Sequence, residues 1–228
     1  MPEIHKESQG TYDFIADWIT PNFFYSKKDV WHRFGMLAVF GDFVLSCTQG
    51  AVMEIGSGES SIYLSHVSRK YGRKFYTCDI APGKIVNPST VNGYFTPEAT
   101  FLDPKVTHVE HQGVCFYLGA SDEFFRQIDP KPLALTFIDG DHLYEQVKKD
   151  FFNAVSRTVD NGYILLHDTY PPSAEFTREE RCGTVYRLRQ EIEKDNRFDI
   201  ITLPVGCAVS VGLSIVRKKP AIRAEYQG

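Results

Sequence analysis

Apolar runs of about six residues recur through the middle of this chain, and most stop at a glycine or an acid before helical spacing begins. Gly50-Ala-Val-Met-Glu-Ile-Gly56 enters a Gly/Ser turn, and Ser60–Tyr71 then has helical spacing through Ile62, Leu64 and Val67. Lys74–Ile80, Leu133–Asp139 and Tyr163–Asp168 repeat the strand pattern, with helices expected over Ser121–Ile128, Tyr144–Val159 and Gly183–Asp195. Val106–Glu110 and Cys115–Leu118 read as a third strand or a strand pair. Such alternation builds a mostly parallel sheet covered by helices on both faces. Ile201–Leu203 and Leu213–Val216 have no helix between them, so they are expected to pair antiparallel. The expected fold is therefore α/β, a seven-stranded, mostly parallel sheet with an antiparallel C-terminal strand pair. Ahead of it, helices are expected around Tyr12–Ile19 and Lys28–Val44, and residues 81–105 form a long loop of the kind that often carries function.

Composition excludes several classes. A chain of 228 residues with 43% hydrophobic and 24% charged residues suits one larger soluble domain. A net charge of −4 and the lack of a long Lys/Arg run disfavour nucleic acid as the main partner. The longest apolar stretch, Met36–Cys47, is short and broken by Asp42, so no membrane span is expected. Five cysteines are scattered without CxxC spacing, and the start Met-Pro-Glu-Ile-His-Lys lacks a secretion signal; a cytoplasmic protein with reduced thiols is expected.

Chemistry concentrates at the strand ends, where open α/β sheets bind their ligands. Glu54-Ile-Gly-Ser-Gly58 permits a tight turn and close approach of a ligand to the backbone. Asp79 ends the second strand, 23 residues after Gly56, where an acid can accept both hydroxyls of a ribose. Ser61 stands where a dinucleotide fingerprint has its third glycine, and Glu59 would oppose a pyrophosphate. A nucleoside cofactor with a positive or zwitterionic tail fits better than NAD.

Phe137-Ile-Asp-Gly-Asp-His142 is answered by Leu165-Leu-His-Asp-Thr169. If these two strands are neighbours, Asp139, Asp141, His142, His167 and Asp168 converge on one sheet edge. Without an adjacent Lys or Arg they need a positive charge, supplied by a divalent cation, a cationic cofactor or both. Asp141 has a purely structural use as well, capping the helix that starts near Leu143. His108, Glu110 and His111 alternate across a strand, which argues for a solvated edge over a shared metal.

Together, Glu54–Gly58, Asp79, Gly119-Ala-Ser-Asp122 and Phe137–His142 resemble the class I S-adenosylmethionine-dependent methyltransferases, within them the metal-dependent O-methyltransferases of the catechol type and of the macrolide and aminocoumarin sugar type. The resemblance spans about residues 48–218, a Rossmann-like core, and implies a single domain over 1–228 with residues 1–46 as a helical cap. It implies S-adenosylmethionine contacts from Glu54, Gly56, Ser57, Gly58, Ser61, Asp79, Ala120, Ser121, Asp122 and Asp139. It implies a divalent cation on Asp139, His167 and Asp168. Mg²⁺ is the first expectation by oxygen preference, and Mn²⁺ or a similar ion is the alternative, because His167 stands where relatives carry an acid. The catalytic expectation is His142 as general base, Asp141 as second choice and Asp139 at the reacting centre. The acceptor is expected to be a sugar or other small molecule, and a homo-oligomer is left open.

Overall fold

The computed structural model describes residues 31–58, 60–81, 108–111, 113–204 and 211–220. The helix expected at Tyr12–Ile19 and the 81–105 loop lie almost wholly outside them. Helix α1 spans Trp31–Cys47, and strand β1 spans Ala51–Ile55. Helix α2 (Ser60–Lys70) and strand β2 (Phe75–Asp79) follow, then a hairpin of β3 (His108–His111) and β4 (Val114–Leu118). The second half runs α3 (Ser121–Gln127), β5 (Leu133–Ile138), α4 (Tyr144–Arg157), β6 (Thr158–His167), a 3₁₀ turn (Ala174–Thr177), α5 (Val185–Ile192), β7 (Phe198–Leu203) and β8 (Leu213–Lys218).

The sheet order is β3-β4-β2-β1-β5-β6-β8-β7. Strands β4, β2, β1, β5 and β6 are parallel, while β8 runs antiparallel between β6 and β7. The seven expected strands are all present. The region around 108–118 takes the strand-pair form, so β3 adds a short antiparallel eighth strand at the edge. His108 and Glu110 on it are exposed, and Glu110 pairs with Lys74 at 2.6 Å.

Alternation along the strands divides the core in two. Val52, Phe75, Leu135 and Phe137 pack under α1 and α2. Met53, Ile55, Cys78 and Ile138 pack under α3, α4 and α5. Every residue of β5 is buried, as a central parallel strand requires. Helix α4 buries Val147, Asp150, Phe151 and Ala154, a stripe with spacing i, i+3, i+4, i+7. Full burial of a side chain such as Phe151 stabilises the fold by about 2 kcal/mol. Chain order turns left from β1 toward β4 and right from β5 toward β6, so the crevice between β1 and β5 is the switch point where such sheets bind ligands. Among the described residues no helix is long and apolar enough to cross a membrane.

Candidate active site

The turn after β1 is pinned to the end of β5. Gly56 has φ +90°, and a Cβ there would lie 2.1 Å from the Asp139 carbonyl oxygen. Only glycine tolerates both the dihedral and the contact. The Gly56 N–H donates to Cys78 O at 2.9 Å and the Asp139 N–H to Ile55 O at 2.8 Å, so three strand ends are held in one layer.

Beneath this turn lies Glu54, fully buried. Its carboxylate accepts from Ser60 Oγ at 2.5 Å, from Thr77 Oγ1 at 2.6 Å and from Ser61 Oγ. Ser57 Oγ and Thr77 Oγ1 share a further bond of 2.6 Å. Burial pushes the Glu54 carboxyl up to about 7; the three hydroxyls work against that rise and Asp139 adds to it. Of the turn residues expected at the cofactor, Gly56 borders the cavity beyond, while Glu54, Ser57 and Ser61 form the buried hydroxyl network that supports it. Gly58 has its N–H donated to Ser61 Oγ at 3.1 Å.

That cavity, of about 310 Å³, falls within the usual range for small-ligand sites. Asp79, buried at the end of β2, lines it and accepts the Ala81 N–H on Oδ1 at 2.7 Å. Ala120, Ser121 and Asp122 line it from the start of α3. Two further residues on α4, Gln146 and Asp150, also line it and escaped sequence reasoning. Ser121 Oγ donates to Asp150 Oδ1 at 2.6 Å, and Gln146 Nε2 reaches both Ser121 Oγ and Asp150 Oδ1 at 3.1 Å. Burial pushes the Asp150 carboxyl up to about 6. A signal existed in the sequence: Asp150 interrupts the apolar stripe of α4 between Val147 and Phe151.

Asp141 belongs to this first cavity. It is exposed, and its Oδ1 accepts the Leu143 N–H at 2.8 Å in a turn ahead of α4; the helix-capping use expected for it is not met, because Leu143 is the N-cap and no side chain caps it. Asp139, His142, His167 and Asp168 face a second cavity of about 270 Å³. The residues 139–142 thus separate two spaces, with Gly140 and Asp141 on one side and Asp139 and His142 on the other.

The second cavity gathers the charges. Strands β5 and β6 set Ile138 beside Leu166, so Asp139 and His167 emerge next to each other. His167 Nδ1 lies 2.9 Å from Asp139 Oδ1 and 3.2 Å from Asp168 Oδ2. His142 Nε2 lies 3.1 Å from Asp168 Oδ2. Asp168 has φ +59°, a left-handed conformation that is uncommon outside glycine and clusters at functional sites. Behind it, Ser214 Oγ donates to Thr169 Oγ1 at 2.8 Å, and Arg189 Nε donates to Thr169 O at 3.0 Å. His142 is positioned from the far side: its carbonyl accepts the Thr184 N–H at 2.8 Å, and Gly183, at φ +54°, leaves no space there for a Cβ.

Burial opposes charge on His167, but the fields and hydrogen bonds of Asp139 and Asp168 outweigh it and push the imidazole up to about 10. Asp168 is held well below the usual carboxylate range: burial would raise it, and the bonds from His142 and His167 overcome that. The bond to Asp168 raises His142, against desolvation.

One ligand atom each from Asp139, His142 and Asp168 lies within 4.8 Å of the other two. Two carboxylates and an imidazole suit Mg²⁺ with water completing the shell, or Mn²⁺. The residues present therefore fit a divalent cation. The expected trio of Asp139, His167 and Asp168 shares both acids with this geometric trio; His167 Nδ1 sits between those acids, and His142 takes the third place. Phe176, Glu180, Arg181, Cys182 and Val211 complete the lining. Tyr170, two residues beyond Asp168, is exposed and packs against Gly212.

Residues 53–169 match the family model of a methyltransferase domain. No curated protein sequence matches. An O-methyltransferase from Bacillus cereus, in complex with SAH, aligns with a TM-score of 0.60 and 16% identity over 92% of this chain and 91% of that one. The MycE methyltransferase of the mycinamycin biosynthetic pathway, in complex with Mg and SAH, aligns with a TM-score of 0.54 and 15% identity over 90% of this chain. This chain spans about half of MycE, covering 54% of its length. At these identities the likeness establishes the fold. The family match covers just over half the chain and contains Gly56, Asp79, Asp139, His142 and Asp168: the chain belongs to the methyltransferase-domain family and has the fold of the S-adenosylmethionine-dependent O-methyltransferases.

Proposed function

We propose that the protein transfers a methyl group from S-adenosylmethionine to a hydroxyl of a sugar or other small molecule, with a divalent cation held at Asp139 and Asp168. The observation that carries this reading is the cluster of Asp139, His142 and Asp168 in one cavity while Gly140 and Asp141, from the same turn, line the other. The Mg and SAH bound to MycE support the same assignment.

Asp79 holds the ribose hydroxyls, and Gly56 lets the methionine portion approach the backbone at the switch point. The acceptor occupies the second cavity, with its hydroxyl directed at the sulfonium methyl. Bound at the switch point, S-adenosylmethionine would supply the methyl group, its carbon–sulfur bond breaking as the oxygen–carbon bond forms and leaving a neutral thioether. The hydroxyl proton passes to His142, whose orientation is fixed by Asp168 and by the Thr184 and Gly183 backbone. A bound cation would lower the hydroxyl pKa and hold the oxygen, with Asp139 and Asp168 as its carboxylate ligands and His142, though within reach of the same point, kept for the proton. Alignment and exclusion of water are the protein's remaining contribution.

A second reading rests on His167. Its imidazole bridges Asp139 and Asp168, and a charge there satisfies both acids without a metal. One experiment separates the two. Formation of S-adenosylhomocysteine is measured across hydroxylated acceptors after exhaustive EDTA treatment and dialysis, then with Mg²⁺ or Mn²⁺ restored. The expected result is a loss of at least tenfold, reversed by the metal. Undiminished turnover in the metal-free protein would remove the cation and leave the His167 reading.

A further inference from the structure

The nucleoside cavity contains an acid that none of these steps uses. Asp150 lies on the buried stripe of α4 and is 1% exposed, yet it borders the cavity. Its Oδ1 takes the hydroxyl of Ser121 and the amide of Gln146. It has no ion pair among the described residues, and the charges that act on it are those of two further acids, Asp122 and Asp141. Both donors fall on Oδ1, and Oδ2 has none among the described residues; a buried carboxyl oxygen left so costs stability unless a ligand donor meets it.

The chemistry of the lining says what that donor is. Among the described residues no Lys, Arg or His lines this cavity. Asp79, Asp122, Asp141 and Asp150 all present acceptors. Gln146 has its amide N–H₂ engaged by Ser121 and Asp150, so the group it offers a ligand is its carbonyl oxygen. The side-chain groups at the α3–α4 contact are therefore acceptors, suited to a ligand edge that donates hydrogen bonds and ill matched to one that presents oxygen to them.

We propose that Asp150, held by Ser121 and Gln146, is a specificity-determining residue that reads the base of the cofactor: it accepts an N–H of the exocyclic amine of a 6-aminopurine and rejects a 6-oxopurine. The inference rests on the cofactor reading above and adds a role for a residue outside the glycine turn and the ribose acid. A site with buried acceptors discriminates strongly against a ligand that leaves them unpaired.

The test is calorimetric titration of the full chain with S-adenosylhomocysteine and with its 6-oxo counterpart, S-inosylhomocysteine. Wild type should prefer the amino form by at least a hundredfold. Asp150→Asn, which offers an N–H₂ to a 6-oxo group, should narrow that ratio at least tenfold. An unchanged ratio in an Asp150→Asn protein with a native circular-dichroism spectrum overturns the inference while leaving the methyltransferase reading intact. A second arm needs no variant: the N6,N6-dimethyl form of S-adenosylhomocysteine, which has no donor, should bind wild type at least tenfold more weakly, and equal binding overturns the inference. If wild type binds no S-adenosylhomocysteine at all, the cofactor reading falls and the inference with it.

Discussion

At the nucleoside cavity the most deeply buried acid, Glu54, is met by three hydroxyls and no cation; at the neighbouring cavity Asp139 and Asp168 are met by two imidazoles. The first is a single carboxyl held by hydroxyls, built from residues close to β1 and β2. On the proposed function, the ligand contacts beside it fall to Gly56 and to the acids that line the cavity. The second is a set of compensating charges drawn from β5, from the turn at 139–142 and from the end of β6. Charges close together in a poorly solvated space respond strongly to a bound cation or a transferred proton, and neutral hydroxyl networks respond little. The proposed function puts binding and chemistry on opposite sides of one short stretch of chain.

Three measurements bear on that division. The largest effect is expected from His142→Ala, which should lower kcat by about 10²–10⁴-fold while S-adenosylhomocysteine affinity changes by less than about threefold. Comparable losses in both quantities would show that the two cavities do not act separately. Next is Gly56→Ala, which introduces a Cβ against the Asp139 carbonyl and a strained dihedral. It should destabilise the fold by about 3 kcal/mol in urea unfolding and weaken cofactor binding together with turnover, because Gly56 and Asp139 serve different cavities. A variant with wild-type stability would mean that the two spaces are not locked together at this point.

The smallest effect concerns Glu54. Its folded-state pKa of about 7 lies above the ordinary value of 4.5, so the folded state binds this proton more tightly than the unfolded chain does. The resulting stabilisation is complete below pH 4.5 and is lost as pH rises through 7, up to about 3 kcal/mol in all. Thermal unfolding across pH 5–8 should show a decline that Glu54→Gln flattens. An identical slope in the variant would assign the pH dependence to the charged cluster of the second cavity.

Much of this site was legible from the chain. The strand-end positions of Gly56, Asp79, Asp139, His167 and Asp168 follow from apolar runs with punctuated ends, and the α/β order follows from the alternation of those runs with helical spacing. Asp150 was legible in principle as an acid on an apolar stripe, but a stripe does not say which cavity it borders. The split between Asp141 and His142 was not legible: neighbouring residues in a turn point wherever their backbone dihedrals send them. The pairing of His142 with Asp168, and of His167 with both acids, depends on the lateral contact of β5 and β6. The extra strand β3 depended on whether the chain near residue 112 folds back or continues, which residue pattern alone left open.

By itself the sequence determined which groups arrive at the carboxyl end of the sheet, because periodicity and strand punctuation are local properties of the chain. Which of those groups share a space was decided by the tertiary structure. Strand order, the contact of Gly56 with the Asp139 backbone and the hold of Thr184 and Gly183 on His142 bring together residues up to 83 positions apart, as Gly56 and Asp139 are, and no local rule specifies such distances.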